Sequence, residues 1–240
     1  MSSQQSAVSS QQTVIDGWSS DLGQTPNPNS QPPPPARQFD DAEQQRETAS
    51  LGMWIFLATE FMFFGGLFMA YIAYRYLYPQ AFAAGSQHLK TLLGGANTGV
   101  LLTSSLTMAL AVHAAQAGRR GAIVAFLLLT VALGAVFLGI KGYEYFSEYQ
   151  EGLVPVFNFA FDGAQAQQVK LFFILYFLMT GLHAIHMTIG ICAVLAITVL
   201  AWRRRFSTQY YTPVELVGLY WHFVDIVWVF LYPLLYLIKA

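Results

Sequence analysis

The side chains that could do chemistry lie inside apolar stretches. Glu60 falls nine residues past Leu51 and fifteen before Arg75, with no basic residue within a turn or two of it in sequence. Thr180, His183 and His186 repeat at a spacing of three, as do His222 and Asp225, so each set shares one face of a helix. Glu144 stands between Tyr143 and Tyr145, and Arg203, Arg204 and Arg205 end an apolar run. A carboxyl placed like Glu60 needs a partner from another helix or must carry its proton, because an isolated carboxylate is too costly to bury. It reads as a proton- or lipid-linked site, or as a neutral acid hydrogen-bonded to a neighbouring helix.

Two imidazoles at i and i+3 could hold a metal if Glu60, Glu144 or Asp225 came close. The spacing alone is a weak signal, and the Glu-x-x-His pattern of di-iron bundles is missing from every apolar stretch. We therefore favour buried imidazoles bonded to carboxylates or carbonyls of adjacent helices, and assign no catalytic or metal set. Glu144 could pair across helices, with a histidine of the fourth apolar block as one partner. The three arginines suit a helix C-terminus and lipid phosphate, as a topology determinant and as a phospholipid clamp.

These residues must be positioned by helices. The chain of 240 residues is 55% hydrophobic and 10% charged, with a formal net charge of −1. The balance gives no sign of nucleic-acid binding, and the long apolar blocks read as an all-α, polytopic membrane bundle. Five blocks are long enough to cross as helices: about 51–74, 98–116, 121–141, 170–202 and 213–238. Thr103, Ser104, Ser105 and Thr107 make the second the least hydrophobic, and we expect it to be the best shielded. The fifth starts with Thr212, Pro213 and Glu215, the pattern of an N-cap with a capping-box carboxylate. His222 begins about 14 Å beyond Pro213, near mid-membrane.

Residues 1–48 differ from the transmembrane domain at 49–240. They are rich in Ser, Gln, Asn and Pro, with Pro32 to Pro35 in a row, and should form a disordered or extended tail. Met1 to Ser10 has no basic start and no apolar core follows, so no signal peptide is expected. Cys192, the single cysteine, lies inside an apolar block and carries no redox message.

Several runs together resemble subunit III of the haem-copper oxidases. They are Thr59 to Tyr71 (TEFMFFGGLFMAY), Asn97 to Ser105, Tyr143 to Tyr145, Thr180 to Gly190 (TGLHAIHMTIG) and Tyr220 to Tyr232 (YWHFVDIVWVFLY). They fall in family order on every span, and the resemblance covers about 50–238. It is similar to the five-helix bacterial form, without the two leading helices of the mitochondrial form. The resemblance implies a bundle with a lipid-filled cleft in the bacterial plasma membrane, docked on subunit I and associated with subunit II. It implies haem and copper in those partners, no redox cofactor in this chain, and bound phospholipid. Glu60 matches the family's buried, carbodiimide-reactive glutamate. Arg203 matches its phospholipid-binding arginine, although Arg204 or Arg205 could take that place. Glu144, His183, His186, His222 and Asp225 match polar positions read as structural. A quinol oxidase subunit III or a nitric-oxide-reductase accessory protein uses similar helices, and a stand-alone membrane metalloenzyme is the competing class.

Five crossings put the two ends of the chain on opposite faces. The side of the N-terminus collects Arg37, Arg46, Arg119, Arg120 and Arg203 to Arg205; the other holds Arg75, Lys90, Lys141, Lys170 and Lys239. The positive-inside rule then sets the N-terminus in the cytoplasm and the C-terminus outside, with the loop from Gly142 to Gln168 also outside. A cysteine replacing Gln44 should be shielded from an impermeant thiol reagent applied to intact cells, and one replacing Ala164 labelled. The reverse pattern would invert the topology.

Overall fold

In the computed structural model, the residues described are 39, 41–155, 157, 159–160, 165–203, 206 and 210–237. Every regular element among them is a helix. These are α1 Ala42–Leu77, α2 Pro79–His88, α3 Thr91–Gln116, α4 Arg120–Gln150, α5 Ala166–Trp202 and α6 Thr212–Tyr236. All but α2 are long and apolar enough to cross a membrane. Most of the tail expectation lies outside the described residues, but its last part does not. Asp41 caps α1 through Oδ1, which accepts a hydrogen bond from the Gln44 N–H at 2.7 Å, so residues 42–48 are already helical.

The boundaries follow local chemistry. Tyr78 leaves the α region in front of Pro79, which ends α1 and opens α2, a helix that hydropathy does not single out. Gly118 (φ 66°) and Gly152 (φ 71°) take the left-handed conformation that closes α3 and α4. α4 runs to Gln150, so Glu144 and Glu148, expected in an outer loop, are helical and buried. α6 starts without the expected cap: Thr212 is already helical, and Tyr211 holds the cap position with no side-chain bond. Glu215 instead accepts a hydrogen bond from Gln116 Nε2 at 3.3 Å and faces Arg46 Nη2 at 3.6 Å. Pro233 sits inside the last turns of α6, where it removes one backbone donor.

α3, α4, α5 and α6 form a ring in which each packs on the next and α6 closes back on α3. α1 stands outside the ring against α5 and α6, and α2 packs on α5, α6 and α1. α6 is the most buried span and α1 the least, which corrects the expectation that the second block is the best shielded. α6 owes its burial to two indoles, both fully enclosed. Trp221 Nε1–H donates to Ser104 Oγ at 3.2 Å, and Trp228 Nε1–H to Thr98 Oγ1 at 3.1 Å. The hydroxyls that lower the hydropathy of α3 thus serve as acceptors for indoles that the membrane interior cannot solvate. Gly134 and Gly190 leave room for the Trp221 ring: a Cβ on Gly134 would lie 2.8 Å from it.

Candidate functional site

Glu60 lies midway along α1, and its partner does come from another helix. Glu60 Oε2 is 3.0 Å from Nε2 of His186 on α5, and Nδ1 of the same ring is 2.8 Å from the Leu182 carbonyl. A carbonyl only accepts, so Nδ1 carries hydrogen. Nε2 then either accepts a proton from a neutral Glu60 or carries a second one opposite a carboxylate. In both cases one proton sits in the bridge and its net charge is zero, which is what a mid-membrane site requires. Phe64 packs edge-on against the imidazole at 5.2 Å, and the Tyr220 hydroxyl donates to the His186 carbonyl at 3.1 Å. Both side chains stay partly exposed on the α1 flank, at 19% for Glu60 and 15% for His186.

His183 points elsewhere. It is buried between Phe137 and Trp228, with ring centroids at 5.5 and 5.2 Å, and neither ring nitrogen has a hydrogen bond. The two histidines therefore do not converge, and the expected carboxylate or carbonyl partner exists for His186 alone. No group of three or more His, Cys, Asp or Glu side chains capable of holding a metal occurs among the described residues.

The expectation that Glu144 pairs with a histidine is replaced by a different arrangement. Lys141, one turn earlier on α4, directs its ammonium to Glu144 Oε2 at 2.9 Å, the Tyr236 hydroxyl at 2.8 Å and the Tyr176 hydroxyl at 3.2 Å. That uses all three of its donors. Tyr236 in turn donates to Glu144 Oε1 at 2.7 Å. The rings of Tyr145, Tyr176, Trp228 and Tyr236 surround the ammonium at 5.2–5.5 Å, close enough for cation–π attraction. Sequence reading places Lys141 among the surface charges at the end of a span. What it lacks is the partner set, since Tyr176 and Tyr236 are 35 and 95 residues away. Glu148, another turn along α4, is buried with no hydrogen bond to either carboxylate oxygen.

His222 and Asp225 lie against α3. His222 Nδ1 is 2.6 Å from Ser105 Oγ, whereas both oxygens of buried Asp225 lack a hydrogen bond. Arg203 forms the exposed C-terminal cap of α5, and Arg204 and Arg205 lie outside the described residues. His186 and Arg203 are about 25 Å apart along α5, so Glu60 and Arg203 occupy separate places.

A five-span helical bundle whose interior holds a satisfied lysine but no metal cluster among the described residues belongs to the class of polytopic membrane proteins. Residues 39–239 match the family model of cytochrome c oxidase subunit III. The chain is 34% identical to cytochrome c oxidase subunit 3 of Synechocystis sp. over 195 residues, covering 78% of this chain and 74% of that one. It is 31% identical to the Thermostichus vulcanus protein of the same name over 203 residues, 83% and 92% of the two chains. It is 27% identical to the probable quinol oxidase subunit 3 of Staphylococcus haemolyticus over 199 residues, 83% and 93% of the two. The chain belongs to the cytochrome c oxidase subunit III family, a non-catalytic subunit family of respiratory oxidases.

The Lys141 site carries a stability test. Lys141→Met should destabilise the assembled protein by about 3–5 kcal/mol, because Glu144 is left buried without its cation. Lys141→Met combined with Glu144→Gln should recover much of that loss. Thermal unfolding in detergent reads both, and equal loss in the single and double variants would show that the ion pair is not the cause.

Proposed function

We propose that the chain is the non-catalytic third subunit of a proton-pumping cytochrome c oxidase in the bacterial plasma membrane. It braces subunit I, the site of the haems and copper, contacts subunit II, and holds phospholipid. It needs no cofactor of its own. The observation that carries this reading is the zero-charge Glu60–His186 bridge, which pins the least buried helix to the ring at mid-membrane. Such a bridge suits a positioned, lipid-facing element better than a reaction centre, since among the described residues no third His, Cys, Asp or Glu joins the pair to make a metal-holding group. The bracing would support proton uptake and prolong the working life of the complex over many turnovers. A quinol oxidase is the second reading, favoured by the similarity to the Staphylococcus protein. The haem types and the electron donor of the copurifying complex separate the two.

Glu60→Gln should preserve assembly, because the amide keeps the shape of a neutral acid and can still donate to His186 Nε2. The initial electron-transfer rate of the whole oxidase should stay near wild type, while proton uptake or survival over many turnovers falls. Loss of the first turnover in a fully assembled complex would make Glu60 catalytic and sink the bracing model.

The lipid reading rests on Arg203, the C-terminal cap of α5, and on Arg204 and Arg205, which follow it in sequence. Replacing Arg203, Arg204 and Arg205 together with Gln should cost bound phospholipid, since bidentate contacts to phosphate are charge-assisted. Native mass spectrometry counts the lipids, and an unchanged count would leave these residues a topological role only.

A further inference from the structure

A cavity of about 310 Å³ lies where α1 ends, α2 begins and α5 starts, at the opposite end of α5 from Arg203. Three glutamines line it, Gln80, Gln165 and Gln168, and among the described residues no charged side chain does. Gln80 and Gln165 are exposed, and Gln165 Nε2–H donates to Gln80 Oε1 at 3.3 Å, tying α2 to the cap of α5. Gln168 is the opposite case: its Oε1 is buried and has no hydrogen bond. The backbone leaves donors in the same place. α2 opens on Pro79 without a side-chain cap, and its first N–H to bond backward is that of Phe82, to the Tyr78 carbonyl at 3.1 Å. The N–H groups of Gln80 and Ala81, both at the cavity, have no partner among the described residues.

We propose that this cavity binds the sugar headgroup of a neutral glycolipid. The polar groups left over set the class. An occupant must donate to the Gln168 carbonyl oxygen and accept from the Gln80 and Ala81 N–H groups, and a hydroxyl does both. A phosphodiester only accepts, and no cation at the cavity balances its charge. An acyl chain does neither. The position sets the rest. Tyr74, Tyr76 and Tyr78 are exposed around the end of α1, where aromatic side chains mark the headgroup level of a membrane. Tyr78 also lines the cavity and offers an apolar ring to the C–H face of a sugar. Leu77 lines the cavity and is itself exposed, so it joins the pocket to the outer surface of α1. There Met69, Ile72 and Tyr76 are exposed at spacings of three and four, one apolar strip along which the acyl chains lie.

The test is native mass spectrometry of the assembled complex in detergent, titrated with glucosyl diacylglycerol or with phosphatidylglycerol of the same acyl chains. Wild type should retain the glucosyl lipid in preference to the phospholipid. Gln80→Leu, Gln165→Leu and Gln168→Leu should each weaken that retention about fivefold, the worth of one neutral hydrogen bond, and leave phosphatidylglycerol unchanged. Gln80 and Gln165 are exposed, so their replacement should not disturb assembly; if Gln168→Leu fails to assemble, those two variants carry the test. Equal retention of the two lipids overturns the proposal, as expected of a cavity that holds only water. Unchanged glucosyl-lipid retention in the Gln80 and Gln165 variants overturns the site. Displacement of the glucosyl lipid by an equal concentration of methyl glucoside overturns the lipid as the source, since the acyl chains would then add nothing.

Discussion

An ammonium group buried between membrane helices sets the terms for everything around it. Lys141 is 3% exposed, and a cation there is tolerable only if each N–H is used and the charge is balanced. Its three partners come from three helices: Glu144 from α4 itself, Tyr176 from α5 and Tyr236 from α6. Satisfying it therefore fixes the N-terminal part of α5 and the C-terminal end of α6 against α4. α4 and α6 face each other across the ring without close backbone approach, so the Lys141–Tyr236–Glu144 bonds are a link across its centre. Tyr145, hydrogen-bonded to Thr180 at 2.6 Å, extends the same network along α5.

Away from that end, the ring is held by single polar bonds placed on an apolar background. Trp221 and Trp228 each find one hydroxyl on α3, and Thr107 and Thr130 join α3 to α4 through their hydroxyls at 2.8 Å. In lipid, burial of apolar surface gives little preference for helix–helix over helix–lipid contact, so close packing and such bonds decide the register. α1 has fewer of them. Besides the Glu60–His186 bridge, the Tyr71 hydroxyl donates to the Leu234 carbonyl at 2.9 Å, next to the Pro233 that interrupts the backbone bonding of α6. Most of its large apolar side chains face outward, as expected of a helix presented to lipid or to another subunit.

What the sequence by itself determined was the set of membrane spans, their order and the family. Long apolar blocks are a one-dimensional property, and five of them are five helices because lipid leaves the backbone no other way to satisfy its donors and acceptors. The mid-membrane position of Glu60 and its need for a partner from another helix were legible for the same reason: depth follows from residue count, and cost follows from depth. The runs around Glu60, His183 and Asp225 were specific enough to identify the family. Helix ends were less legible. Polar residues 42–48 and 142–150 are helical because caps and packing extend a helix beyond its apolar core, and hydropathy does not register either.

Only the tertiary structure decided who pairs with whom. Spacing puts His183 and His186 on one face, yet His186 reaches α1 while His183 is enclosed by Phe137 and Trp228. The angle between their side chains decides, and it depends on which neighbour stands on each side of α5. Glu144 looked like an interfacial residue awaiting a histidine and is bound to a lysine three residues away, because α4 continues as a helix to Gln150 with Glu144 on its buried face. Lys141 gave no sign in sequence of being more than a terminal charge. Two of its three partners, Tyr176 and Tyr236, come from far along the chain, and a linear pattern holds no information about contacts that exist only once the helices have closed into a ring.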